Sequence, residues 1–155
     1  MKELINNEMN FPVPDGFKVL NKEELNNFNT VGQGPVWGIQ NDEKHMIIVV
    51  GYKNVGILSK MFSSKDAATS IEKSLAKPMA PYNYQLKEFS EFKVGDLLGN
   101  GINYTYVVQD IEMQGTSLAV KKDNKLYYIH AYYRLENNED SLKLLKDTIN
   151  DITWN

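Results

Sequence analysis

The sequence predicts an α+β domain in which an antiparallel β-sheet lies between helices. Residues 101–134 contain β-rich runs separated by short turn signals, a pattern typical of antiparallel strands. The run HMIIVVGY at 45–52 is apolar on both faces, which indicates a central strand covered on both sides. Near the end of the chain, apolar residues such as Leu145 and Ile149 recur at helical spacing, so a helix is available to cover one of those faces.

The chain begins with an extended segment. FPVPDGFKVL at 11–20 holds two prolines and a Pro-Asp-Gly turn before a short alternating piece, and this predicts an edge strand. Asn21 is placed to cap a brief helix, with Glu24 completing a capping box. TVGQGP at 30–35 is predicted to be a loop because its glycines and proline interrupt regular structure.

A hairpin and a helix are predicted next. The runs at 36–40 and 45–52 flank a polar Asn-Asp-Glu-Lys turn, which favours two antiparallel strands. A helix is predicted from Ser64 to about Lys77, because the serine can cap it and apolar residues repeat every four positions. QLKEFSEFKV at 85–94 is predicted to be a strand.

The last hairpin has a defined register. A two-residue turn at 123–124 pairs Val120 with Tyr127 and Leu118 with Ile129 on one face of the sheet. The helix that follows has carboxylates in its first turn, where they suit the helix dipole.

The hairpin before it is ambiguous. A turn at 113–115 with Gly115 in a left-handed bulge brings Tyr104 and Tyr106 onto the same face as Leu118. A two-residue turn would place the tyrosines on the other face, and a slip of one residue exchanges the faces. We predict the bulge because it makes one face uniformly apolar.

The opposite face then becomes a candidate binding surface, which we call the tyrosine face. Its members are small, polar or aromatic: Ser117, Ala119, Tyr128, His130, Tyr132 and Arg134. Rings beside small side chains leave a shallow depression that suits a partner or a second copy of the chain. The alternative is that a helix or the N-terminal segment covers this face. Met61 and Phe62, on the connection GILSKMFSS, form a second candidate surface or plug the core.

Catalytic and metal chemistry has little support in the sequence. His45 and His130 are the only histidines and the chain has no cysteine, so we expect neither a metal nor a cofactor. No serine stands in a nucleophile elbow. Asp110 and Glu112 are close in sequence, but they flank a predicted turn and are interpreted as a solvated rim.

Composition excludes other classes. The 155 residues predict a single domain over 1–155, and a net charge of −3 without a basic cluster argues against nucleic-acid binding. The N-terminus lacks the apolar core of a signal peptide, and no run approaches the ~20 apolar residues that span a bilayer. A cytoplasmic protein without membrane insertion is therefore expected.

The order of elements resembles that of the PsbP-like superfamily. The opening PVPDGFKVL, the hairpin, the middle helix, the meander and a last helix running into DITW carry the resemblance. The family opening often reads Pro-x-Gly-Trp, whereas this chain has Asp15-Gly16-Phe17. The resemblance implies an antiparallel sheet sandwiched between helices and places the chain in a bacterial branch.

The same resemblance implies a binding protein. Family members include a photosystem extrinsic subunit, a nuclear-import factor that binds a small GTPase, and chaperones that hold transmembrane helices of secreted effectors. They share no catalytic residues. We therefore expect a non-catalytic module that recognises a protein or peptide through the tyrosine face, with homodimerisation through that face as an option. The alternative is a small-molecule binder or small hydrolase that uses His130 with a nearby carboxylate.

Overall fold

A computed structural model describes residues 1–28, 34–56, 61 and 63–155. The strands are β1 (Lys2–Ile5), β2 (Met9–Pro12), β3 (Lys18–Val19), β4 (Trp37–Asn41), β5 (Met46–Asn54), β6 (Gln85–Val94), β7 (Leu97–Val108), β8 (Ile111–Lys122), β9 (Lys125–Arg134) and β10 (Thr153–Trp154). The α-helices are α1 (Lys22–Leu25), α2 (Ser64–Met79) and α3 (Asn138–Asn150). Short 3-10 turns follow α2 and precede α3.

The centre of the fold is a seven-stranded antiparallel sheet in the order β3-β4-β5-β9-β8-β7-β6. The predicted hairpin of β4 and β5 joins the C-terminal meander where β5 pairs with β9. β5 is buried along most of its length, as expected for a strand covered on both sides. These features confirm the predicted fold class.

Helix α2 covers one face of the sheet. Ser63, rather than the predicted Ser64, caps it and forms a capping box with Asp66. The residues that the helix buries are Ala67, Ala68 and Ile71. Because two of the three are alanines, the helix can lie close to the strands beneath it.

Helix α3 covers the other face. Leu145 and Ile149 are fully buried in the main core cluster, as their helical spacing predicted. A three-stranded sheet of β1, β2 and β10 completes this layer, and its Phe11 is also fully buried. Strands β1, β2 and β10 are not predicted from the sequence.

The register of β8 and β9 is confirmed, because Val120 pairs with Tyr127 and Leu118 with Ile129. The predicted turn at 113–115 is wrong. The turn lies at Gln109 and Asp110, whose φ angles are 51° and 66°. Strand β8 therefore starts four residues before Gly115, at Ile111.

This earlier turn moves two tyrosines to the opposite face from the one predicted. Tyr104 lies opposite Gly115, and Ile102 lies opposite Ser117. A Cβ on Gly115 would lie 2.3 Å from Cζ of Tyr104, so the glycine makes room for the ring instead of forming a bulge. Tyr104 and Tyr106 consequently pack with Tyr128 beneath α2.

Candidate functional site

The tyrosine face is an interior layer and not a surface. Ser117 and Ala119 are fully buried, and Tyr128 and His130 are 2% and 1% exposed. Helix α2 packs over these strands and shares a core cluster with Ala119 and Tyr128. These four residues were expected to face a partner, and their burial corrects that expectation. No partner can contact them while α2 is in place.

His130 is a buried neutral histidine. Its Nδ1 lies 2.7 Å from Oγ of Ser117, and its ring stacks on Tyr128 with centroids 6.4 Å apart. Burial lowers the pKa of His130 to about 4. Its Nε2 has no hydrogen-bond partner among the described residues. The hydrolase alternative needs a carboxylate on His130, and none is bonded to it in the part of the chain that the structure describes.

The remaining predicted residues lie at the margins of this layer. Tyr132 is half-buried and stacks on Phe28, with centroids 6.2 Å apart. Arg134 is half-buried and lies 3.6 Å from the carboxylate of Glu136. Met61 is 75% exposed, whereas Phe62 lies outside the described residues.

The accessible apolar surface is on strand β6 instead. β6 is the last strand of the main sheet, and β7 is its one strand partner among the residues that the structure describes. Most of its residues are exposed, and Phe89 in its middle is 53% exposed. Its other edge therefore presents backbone N–H and C=O groups to solvent, which is the arrangement that accepts a further strand. The opposite edge of the sheet, β3, is only two residues long.

A groove runs between β6 and α2. It has a volume of about 360 Å³, and its walls include Lys65, Ala68 and Thr69 from the helix. Phe89 and Glu91 form the strand side. The site thus combines an apolar centre, one charge of each sign and an open strand edge, which suits recognition of an extended peptide.

The first turn of α2 is held in place beside this groove. Oγ of Ser64 donates a hydrogen bond of 2.5 Å to Oδ1 of Asn100 on β7. At the middle of the helix, Oη of Tyr84 donates to the carboxylate of Glu72 at 2.9 Å. Burial and this bond raise the pKa of Tyr84. These two bonds therefore hold α2 on either side of its groove-lining residues at 65–69.

Sequence reasoning predicted β6 but did not predict the groove. The available signal was the composition of QLKEFSEFKV, where Glu88 precedes Phe89 and where Glu91 and Lys93 flank Phe92 in sequence. Charges on a strand are a common protection of a sheet edge. The apolar Phe89 stands among these charges, which marks it as a candidate contact residue.

Solved structures of low sequence identity share this architecture. The cyanobacterial PsbP protein CyanoP from Synechocystis sp. PCC 6803 matches with a TM-score of 0.71 and 12% identity, over 100% of this chain and 92% of that chain. The chain has a PsbP-like fold. LpqN, described as involved in cell envelope biogenesis of Mycobacterium tuberculosis, matches this chain with a TM-score of 0.67 and 13% identity, over 94% of this chain and 82% of that chain.

No family model matches the chain, and no curated protein sequence matches it.

Within the described ranges, no group of three or more acidic or histidine side chains is placed to hold a metal ion. No helix in those ranges is both long and apolar enough to cross a membrane.

Proposed function

We propose that this PsbP-like protein is a non-catalytic binding module that takes up an extended segment of a protein partner along strand β6. The observation that carries the proposal is the open edge of β6, a ten-residue strand with a half-exposed Phe89 and with one neighbouring strand in the described ranges. A partner strand on this edge would add an eighth strand to the seven-stranded sheet. Main-chain hydrogen bonds would supply affinity, and the groove beside α2 would supply specificity.

Phe89 is the proposed anchor. A half-exposed aromatic ring offers a large apolar area with few rotatable bonds, which makes it a frequent centre of binding energy. Its side chain lies on the α2 side of the sheet, beside Ala68 and Thr69. The partner is therefore expected to place an apolar residue over Phe89, where the helix wall excludes water.

Charge favours a different protein over a second copy of this chain. The pairing of β6 with β7 is irregular between Leu86 and Glu88, so the straight part of the strand is 88–94. Its middle residue is Glu91, so the longest self-paired antiparallel ladder places Glu91 opposite Glu91 of the other copy. Like charges directly opposite one another destabilise a strand pair. We therefore expect a partner segment with a basic residue opposite Glu91.

Selection from a random peptide library displayed on phage tests the proposal. Peptides selected on the intact protein should be extended, with alternating apolar positions and at least one lysine or arginine. Phe89→Asp should weaken their binding by about tenfold or more, as expected for loss of an aromatic anchor. Leu4→Asp is the matched control, because Leu4 is an exposed apolar strand residue of similar exposure, 50%, in the other sheet.

Two results would contradict the proposal. One is selected peptides that bind Phe89→Asp and Leu4→Asp equally well. The other is a stable dimer of the free protein by light scattering that Phe89→Asp dissociates, because the occupant of the edge would then be a second copy.

A further inference from the structure

A polar cleft lies beside the N-terminal part of α3. It is on the face of the sheet opposite to the groove beside α2. Its volume is about 630 Å³, within the ~300–1,000 Å³ range of small-molecule sites. Strands β6, β7 and β8 form its floor, and Leu135 and Leu142 form an aliphatic wall. Nothing in the proposed peptide site uses this cleft, because Phe89 and Glu91 line the groove beside α2.

A network of hydrogen bonds runs through the floor of the cleft and starts at the carboxylate of Glu88. Nδ2 of Asn103 donates a hydrogen bond of 3.0 Å to Oε1 of Glu88. A carboxylate oxygen only accepts, so this bond fixes which side of the Asn103 amide points at Glu88. Oδ1 of Asn103 then accepts from Oγ1 of Thr116 at 2.6 Å. Thr116 has one hydroxyl hydrogen, so its oxygen must accept the next bond.

The same direction continues across the floor to the start of α3. Oη of Tyr133 lies 2.7 Å from Oγ1 of Thr116 and donates to it, because the Thr116 hydrogen is already used. Nε2 of Gln114 donates to Oη of Tyr133 at 2.9 Å. Nδ2 of Asn138 donates to Oε1 of Gln114 at 3.2 Å. From Glu88 to Asn138, each group accepts a hydrogen bond from the next one, so every amide in this network has one defined orientation.

This hydrogen-bond network leaves a defined set of donors and acceptors for a ligand. Asn103 and Gln114 are 3% and 6% exposed. Each of their NH₂ groups uses one hydrogen in the network and has a second hydrogen with which to donate. Their orientation needs no further ordering when a ligand binds, which reduces the entropic cost of binding. Thr105 adds a hydroxyl to the lining. Neutral groups that donate beside groups that accept are complementary to hydroxyl groups, which do both.

The charges around the cleft disfavour anionic ligands. Glu88 and Glu112 both line it, whereas its one lysine, Lys87, donates to Gln85 at 3.0 Å. A phosphate or carboxylate ligand would meet two carboxylates and is disfavoured. Glu112 pairs with Val107 through its backbone, and its carboxylate forms no hydrogen bond or ion pair within the described part of the chain, so the carboxylate can accept from two neighbouring hydroxyls. The aliphatic wall suits the C–H surface of a sugar ring.

We propose that this cleft binds an uncharged polyhydroxylated ligand, of the size of one or two saccharide rings. The inference does not rest on the peptide site. Glu112 provides the main charged hydrogen bonds at the rim, and Asn103 and Gln114 provide the neutral contacts at the floor. The two proposed sites share strand β6 but lie on opposite faces of it.

Nuclear magnetic resonance on the nitrogen-15-labelled full chain tests the cleft. The probes are methyl glycosides of glucose, galactose and mannose, and N-acetylglucosamine, with putrescine and inorganic phosphate as charged comparisons. At least one saccharide should move the side-chain amide signals of Asn103 and Gln114 in a saturable way. Glu112→Gln should weaken this binding by about tenfold or more, the effect expected when a hydrogen bond to a charged group is lost.

Glu91→Gln is the matched control, because it removes the same charge from the opposite face and should leave saccharide binding unchanged. Phe89→Asp should also leave it unchanged, which separates this site from the peptide site. Three results would overturn the proposal: no saccharide moves the two amide signals, putrescine moves them at lower concentration than every saccharide, or Glu112→Gln binds as tightly as Glu91→Gln.

Discussion

The buried imidazole of His130 makes folding stability depend on pH. Burial lowers its pKa from an ordinary value of 6.5 to about 4. The unfolded chain therefore takes up the proton first as pH falls, and protonation favours unfolding. Stability from this group is complete above about pH 6.5, decreases as pH falls below that value, and has been lost by about pH 4.

The size of the effect follows from the two pKa values. The difference between 6.5 and about 4 corresponds to about 3 kcal/mol over the whole range, at ~1.4 kcal/mol per tenfold change in proton concentration. About 2 kcal/mol of this should already be lost between about pH 7 and pH 5. That interval lies above the ordinary range of carboxyl titration, so His130 is the main contributor there.

Urea unfolding at a series of pH values measures this dependence. Trp37 and Trp154 are half-buried and should report unfolding by fluorescence, and circular dichroism provides an independent probe. In His130→Gln the loss of stability between about pH 7 and pH 5 should largely disappear. His45→Asn is the matched control because it changes the only other histidine, an exposed turn residue at φ 49°. A wild-type free energy of unfolding that stays constant over this interval would refute the reasoning.

Three further predictions concern packing. Leu145→Ala should lower the free energy of unfolding by ~2–5 kcal/mol and exposed Lys146→Ala should not, as measured by urea denaturation. Gly115→Ala should destabilise the fold, because its Cβ would meet the Tyr104 ring at 2.3 Å, and an unchanged thermal midpoint would contradict that packing. Tyr128→Ala should destabilise the monomer by ~3–5 kcal/mol, like other buried aromatic truncations, and a stable variant with only an association defect would show that Tyr128 is at an interface.

Local patterns predicted most of the main sheet and both long helices. The C-terminal hairpin was predictable to the residue, because a two-residue turn leaves only one register for Val120 and Tyr127. The preceding turn was not, because Gln109 and Asp110 are a weak signal for two left-handed residues, whereas Gly115 is a strong one. That glycine serves side-chain packing across the sheet, which only the tertiary structure reveals.

Long-range contacts account for the rest. Strand β2 pairs with β10, at the other end of the chain, so no local pattern identifies it. The tyrosine face was predicted with the correct members of β9, but its exposure depends on where α2 docks. A helix that buries Ala67 and Ala68 gives only a weak apolar pattern, and the sequence therefore does not reveal which strands it covers. The open edge of β6 depends likewise on strand order.

Backbone hydrogen exchange along β6 tests the central claim most directly. In the free protein, the β6 amides that point away from β7 should exchange rapidly, because no strand of the described part of the chain pairs with them on that side. Addition of a selected peptide should protect these amides in alternation along 88–94 and leave Lys18 and Val19 of the other edge unchanged. Protection confined to α2 or to strand β9 in the presence of bound peptide would contradict strand addition at β6.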